Sequence, residues 1–327
     1  MPVSNRPRAA ARRVLRAKLI FNAKSGRPEE SSQQLADILA EMQSRQIWPE
    51  VFTVHPDSRV EAVVRSAIKA GVKLIVVAGG DGTVDSVAGA MVGSSATLGI
   101  IPTGTRNNLA FNLGIPTPIA DAVALLRDGR RLRIDAGRIQ SGRAGRWFLE
   151  GAALGLLTDL YPAADNIQHG NLAQVGEFLS TLVSATPSHL RMILDGRKRL
   201  ETTAHMVLVA NMPFLGARIQ ISQQVSFKDG RLDVFVFSDM SKLNLISYVL
   251  QSIGGAVPDV GIEHYRVKHL KIFSAPQMPV MADGLLVGQG PVTALIHPRA
   301  LRVMAGTALT GTPVASPVAV RQGVPGG

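Results

Sequence analysis

The stretch Val72–Ala78, Val-Lys-Leu-Ile-Val-Val-Ala, constrains the fold most strongly. A nearly unbroken apolar run of this length suits a strand covered on both faces, as in a parallel sheet. It runs straight into Gly79-Gly80-Asp81-Gly82-Thr83, and Val84–Met91 beyond it reads as a helix. The same alternation precedes it. Lys18–Asn22 is a short apolar strand ending in a glycine-containing turn, and Glu30–Arg45 carries Leu35, Ile38, Leu39 and Met42 at helical spacing. Pro49–Val54 is strand-like and Ser58–Ala70 helical, with a fourth strand at Ala96–Ile101. This βαβαβ order predicts a layered α/β domain with a parallel sheet, whose ligand cleft lies beyond the strand C-termini.

From about Leu132 the texture changes. Strand candidates follow one another at Arg133–Ile139, Trp147–Glu150, Leu190–Leu194, His205–Asn211, Leu232–Phe237 and Lys268–Ser274. Turn pairs such as Asp195-Gly196 and Asp229-Gly230 separate some of them, and helices are expected at Asn171–Ala185 and Lys242–Ile253. The apolar stripe Leu243, Ile246, Val249, Leu250 and Ile253 on the latter reads first as core packing, with a membrane anchor as the other reading. The expected organisation is a basic lead over residues 1–16, an α/β domain over 17–132, a strand-rich sandwich over 133–305 whose last strand can return to the first domain, and a Pro/Gly-rich tail over 306–327.

The chemistry concentrates in the turns. Glycines let a backbone bend sharply and bring its N–H groups to an anion, and the following helix start adds a favourable dipole that Thr83 could cap. Gly79-Gly80-Asp81-Gly82-Thr83 is therefore read as a phosphate cradle, the alternative being an ordinary strand-to-helix turn. It is not a Walker loop, because no Gly-Lys-Ser/Thr follows. Two further turns follow the first and fourth strands: Asn22-Ala23-Lys24-Ser25-Gly26 with Arg27, and Pro102-Thr103-Gly104-Thr105-Arg106-Asn107-Asn108. Three such turns at successive strand ends would converge on one sheet edge. The histidines show no metal-ligand spacing, and no Gly-x-Ser-x-Gly elbow is present.

In this order and spacing the three turns resemble the diacylglycerol kinase catalytic domain family, which includes bacterial lipid kinases and sphingosine kinases. The resemblance extends through Ala210-Asn211-Met212-Pro213-Phe214 with Gly216, Phe227-Lys228-Asp229-Gly230-Arg231-Leu232-Asp233, and Met281-Ala282-Asp283-Gly284. It implies an ATP-dependent lipid kinase assisted by Mg²⁺. Asn22, Ser25, Gly26 and Arg27 would lie near the nucleotide, Gly79, Gly80, Asp81, Gly82 and Thr83 around its phosphates, and Gly104, Thr105 and Asn107 would close the pocket. Asp283, on its residues alone an aspartate in a turn, becomes by resemblance the general base. Three positions depart from the family pattern: Leu285, Asn108 and the pair Asp85-Ser86 stand where carboxylates or an Asn-Glu pair are usual. These departures favour one alternative, a silent nucleotide- or lipid-binding regulator; a second, an NAD kinase relative, shares the Gly79–Thr83 motif but not the continuation of the third turn.

The remaining expectations come from bulk properties. A chain of 327 residues with 46% hydrophobic and 18% charged residues is a folded protein with a large core. It has no cysteine, which excludes disulfides and thiolate metal sites and permits a cytoplasmic setting. The net charge of +11, with seven arginines between Arg127 and Arg146, suits phosphates or an anionic membrane surface visited peripherally. With 5% aromatics, nucleic acid is not an expected partner. No secretory signal or run of 18 apolar residues is visible. A homodimer is compatible with the sequence.

Overall fold

The computed structural model describes residues 14–26, 28–160, 175–215, 219–222, 224–238, 262–307 and 320–322. Arg27, Gly216, residues 1–13 of the basic lead, the expected helix Lys242–Ile253 and most of the expected tail lie outside them. The lead ends sooner than expected, because Leu15 and Arg16 already belong to the first strand, paired with Ile47 and Trp48.

The first domain is built as β1 (Leu15–Phe21), α1 (Ser31–Ser44), β2 (Ile47–Thr53), α2 (Val60–Lys69), β3 (Leu74–Gly79), α3 (Asp81–Met91), β4 (Thr97–Pro102), α4 (Asn108–Asn112) and α5 (Ile119–Asp128). All four strands are parallel in the order β2-β1-β3-β4. Every residue of β3 and β4 is buried, as a strand sandwiched between helix layers requires. The order reverses between β1 and β3, so the β1, β3 and β4 turns open beside a topological switch point.

The second domain runs β5 (Arg130–Ser141), β6 (Ala144–Phe148), β7 (Gly151–Gly155), α6 (Val175–Ser184), β8 (Ser188–Leu194), β9 (Lys198–Ala210), β10 (Phe214–Leu215), β11 (Ile219–Gln220), β12 (Leu232–Ser238), β13 (Ile262–Val267), β14 (His269–Ala275), β15 (Pro279–Ala282), β16 (Leu285–Gln289), β17 (Val292–Ala305) and β18 (Val320–Gln322). Its core follows strand alternation. Val207 and Val209 of β9, with Val234 and Val236 of β12, face the sandwich interior. Met206 and Leu208, with Phe235 and Phe237, face the opposite side, where Leu182 of α6 covers them. The Asp195-Gly196 turn carries positive φ at both residues, joins β8 to β9, and draws β9 back to Lys198, well before the expected start at His205.

β17 joins the two domains. It pairs antiparallel with β5 and β14, and Arg302 and Val303 then pair in parallel with Thr97 and Leu98 of β4. A register shift between His297 and Leu301, with Arg299 at φ +53°, redirects the strand. The fully buried Asp135 fixes this bend by accepting the N–H of Arg299 at 2.7 Å and that of Gly230 at 2.7 Å. Within the segment expected as a tail, β18 pairs in parallel with β13.

Candidate functional site: three interlocked turns and a carboxylate cluster

The three glycine turns meet backbone to backbone. A Cβ on Gly26 would stand 2.5 Å from the Thr103 carbonyl oxygen, and one on Gly104 would collide with the Cα of Gly80. One on Gly80 would stand 3.2 Å from the Ser25 hydroxyl. Only glycine permits this approach. Asn22, at the end of β1, ties two turns together: its amide donates to Thr83 Oγ1 at 2.8 Å, and its Oδ1 accepts the Lys24 N–H at 3.0 Å. Helix α3 starts at Asp81 with Gly80 as N-cap, three residues earlier than Thr83 capping would require. Thr83 therefore sits in the first helical turn as acceptor for Asn22.

Asp81 joins the second turn to the third. Its carboxylate accepts the N–H of Asn107 at 3.1 Å and that of Asn108 at 2.7 Å. Asn107 adopts the left-handed conformation at φ +54°, and its side chain closes the turn by bonding both the N–H and the carbonyl of Gly104. Thr105 lies exposed at the turn's tip, and Gly82 faces open space on α3. The hydroxyls of Ser25 and Thr103 are buried without a hydrogen-bond partner. Ser25, Gly26, Gly79, Gly80, Asp81, Gly104 and Asn107 thus form one cradle.

Asp283 arrives from the second domain. It occupies the β15–β16 turn at φ +44° and accepts three backbone N–H groups: Leu149 at 2.7 Å, Glu150 at 3.1 Å and Gly151 at 3.0 Å. That segment is held in turn by Asn211, whose amide donates to the Leu149 carbonyl at 2.7 Å; the N–H groups of Asn211 and Met212 bond the Glu150 carbonyl. Burial pushes the Asp283 carboxyl up to about 6, against the lowering pull of the three N–H groups and of Arg146.

Two further carboxylates were not singled out in the sequence as site residues. Asp85 lies one helical turn after Asp81 on the same face of α3, and Glu150 lies between β6 and β7. Burial raises both well above the ordinary carboxylate range, and the charges of Asp283 and Asp81 raise them further. Arg146 is the cation facing Asp85, and the Asn108 side chain hydrogen-bonds Glu150. The i, i+4 spacing from Asp81 could have flagged Asp85. Glu150 is a lone carboxylate in the apolar run Trp147–Leu154, a weaker signal.

Among the described residues no three acidic or histidine side chains form a ready metal cage. Mg²⁺, however, takes one or two carboxylates and fills its shell with water and phosphate oxygens. The buried, unpartnered Oδ1 of Asp85 fits such a role.

Residues 16–139 match the diacylglycerol kinase catalytic domain model, and residues 162–305 match the YegS C-terminal NAD kinase beta sandwich-like domain. A diacylglycerol kinase of Bacillus subtilis is 28% identical over 286 residues, 84% of this chain and 91% of that protein. A diacylglycerol kinase of Mycobacterium tuberculosis is 28% identical over 249 residues, 74% and 80% of the two chains. An uncharacterized Synechocystis protein, 28% identical over 243 residues, is longer, and the match spans 55% of it. Among solved structures, a diacylglycerol kinase from Bacillus anthracis superposes with a TM-score of 0.69 at 20% identity, covering 92% of this chain and all of that one. An ATP complex of the Archaeoglobus fulgidus NAD kinase shares the fold at TM-score 0.52 and 13% identity, covering 90% and 94%. A parallel α/β lobe and a strand-rich sandwich meeting over glycine turns and carboxylates define a phosphotransferase of the lipid kinase class. The chain belongs to the diacylglycerol kinase catalytic domain family.

Proposed function

We propose that the chain is an ATP-dependent lipid kinase that transfers the γ-phosphate to the hydroxyl of a lipid, with Asp283 as general base. The observation that carries this reading is the placement of Asp283: a carboxyl held by three N–H groups, raised to about 6, and electrostatically coupled to Asp85 on the helix that opens at the glycine turns. A base of that strength is ionised at neutral pH and takes up a proton readily. The acceptor O–H gives its proton to Asp283, the oxygen attacks the γ-phosphorus, and the bond to ADP breaks. Asn22, Ser25, Gly26 and the Gly79–Thr83 and Gly104–Asn107 turns position the triphosphate through backbone N–H groups and the α3 dipole. Asp85 would hold the Mg²⁺ ion, which when bound would supply charge neutralisation on the triphosphate. The acceptor is diacylglycerol-like or sphingoid-like, met at a membrane surface from the cytoplasmic side.

The test is transfer of radiolabelled phosphate from ATP into membrane lipid extracts, with Asp283→Asn alongside and thermal unfolding as the folding check. A labelled lipid that vanishes in a folded variant establishes kinase and base together. Folded protein that binds ATP and labels no lipid sinks the reading and leaves a nucleotide-binding regulator. Conversion of NAD to NADP would instead make it an NAD kinase.

A further inference from the structure

We infer that Leu285 and Leu286, at the start of β16, together with the arginines of the β5–β6 hairpin, form a docking surface for an anionic bilayer immediately beside Asp283. The choice of a bilayer as occupant rests on the lipid-kinase reading above.

Among the described residues only five large hydrophobic side chains are exposed: Val14, Trp48, Val51, Leu285 and Leu286. Leu285 is 46% exposed and Leu286 70%. They are consecutive, and they follow Asp283 by two and three residues. Side chains at successive strand positions point to opposite faces, so in an ordinary sheet one of the pair would be buried. Here neither is buried, and β16 is also the last strand of its sheet, paired only with β15 along the sheet order. Apolar side chains on such an edge invite association, and chains that remain soluble normally place charge or proline there. Leucines retained at this edge have a contact to make.

The neighbouring charge selects the contact. β16 runs from the Asp283 anchor at Leu149–Gly151 to Gly288, whose Cβ position lies 3.7 Å from Ser141 at the end of β5. The adjoining β5–β6 turn exposes Arg143, and Arg138 lies half-exposed over Trp147 at 5.3 Å. Between the buried Asp135 and the buried Glu150 every charged residue is an arginine: Arg138, Arg143 and Arg146. An apolar pair beside exposed arginine, on a hairpin with no carboxylate between Asp135 and Glu150, matches the boundary of an anionic membrane, where leucine enters the acyl region and guanidinium meets phosphate. A face beside the base would also present the base to a hydroxyl at headgroup depth.

The experiment is flotation of the full chain with vesicles of phosphatidylcholine, alone or mixed with phosphatidylglycerol, without nucleotide or acceptor. The chain is expected to float with the mixed vesicles. Leu285→Gln/Leu286→Gln should lose at least about tenfold in partitioning. Arg143→Glu should lose about fivefold on mixed vesicles and nothing on neutral ones. Thermal unfolding should be unchanged, because all three side chains are exposed. The inference is overturned if the wild type stays unbound or if the variants float like the wild type. It also falls if the leucine variant dissociates a dimer in vesicle-free light scattering, which would assign the leucines to a second copy. Vesicle binding needs no catalysis, so leucine-dependent flotation without lipid phosphorylation would sink the kinase reading alone.

Discussion

Asp81 on α3 accepts the backbone N–H of Asn108 on α4 at 2.7 Å, although the two are 27 positions apart in sequence. With Asn107 as second donor at 3.1 Å, one carboxylate anchors the start of α4 from a different turn. The central aspartate of the glycine motif thus holds the third turn, whatever it also does for a phosphate.

Asp81→Ala strands both N–H groups. It should cost about 2–3 kcal/mol in urea unfolding and weaken ATP binding, as measured by calorimetry. Full stability with lost binding would show that Asp81 acts on ligand alone.

Gly82 and Gly104 separate binding from packing. A Cβ at Gly82 meets nothing within 4 Å, so Gly82→Ala should stabilise α3 by about 0.5–1 kcal/mol. If phosphates rest on that face, ATP affinity should nevertheless fall. Gly104→Ala drives a Cβ into Gly80 and should lower both stability and affinity. Unimpaired ATP binding in both variants would move the nucleotide away from these turns.

Transfer should decline as pH falls through about 6, where Asp283 takes up a proton and can no longer act as base. Arg146 lowers that value, so Arg146→Gln should move the acid limb upward. A limb that stays in place in the variant would detach Arg146 from the base.

Asp85 makes a prediction about folding. Its carboxyl is raised above its ordinary 3.8 by burial, then by Asp283 and Asp81, so the folded state favours the protonated form. That contribution to stability is fully present below 3.8 and is lost as pH rises through the raised value. Asp85→Asn removes the penalty. The variant should match the wild type near pH 4 and exceed it by about 1–2 kcal/mol near pH 8. Denaturant midpoints across pH would decide it, and equal midpoints at pH 8 would show that Asp85 is not strained by its neighbours.

The parts of the fold that were legible in the sequence have local causes. β3 and β4 are continuous apolar runs ending in glycine or proline turns, and the Asp195-Gly196 hairpin is set by two residues that tolerate positive φ. The convergence of the three turns followed from strand order alone. Elements with distant causes were not among the strand candidates, although a return of the last strand to the first domain was expected. β17 is bent at His297-Pro298-Arg299, where Asp135, 164 positions earlier, accepts the Arg299 N–H. Leu285-Leu286-Val287 has no alternating polar partner to mark a strand, and its pairing to β15 depends on the Asp283 turn. Glu150 and Asp85 gain their significance only where the two domains meet.

β17 also sets the order in which this protein can be finished. During synthesis the first four strands leave the ribosome early, but the open flank of β4 is covered only when Arg302 arrives, 207 positions after Ser95, whose carbonyl it will bind. Until then a nascent chain carries an unpaired strand edge that a chaperone or another chain could engage. The lobe holding the glycine turns therefore completes its sheet only once the lobe holding Asp283 has been made, and fragments ending before residue 302 would present that edge to the cell.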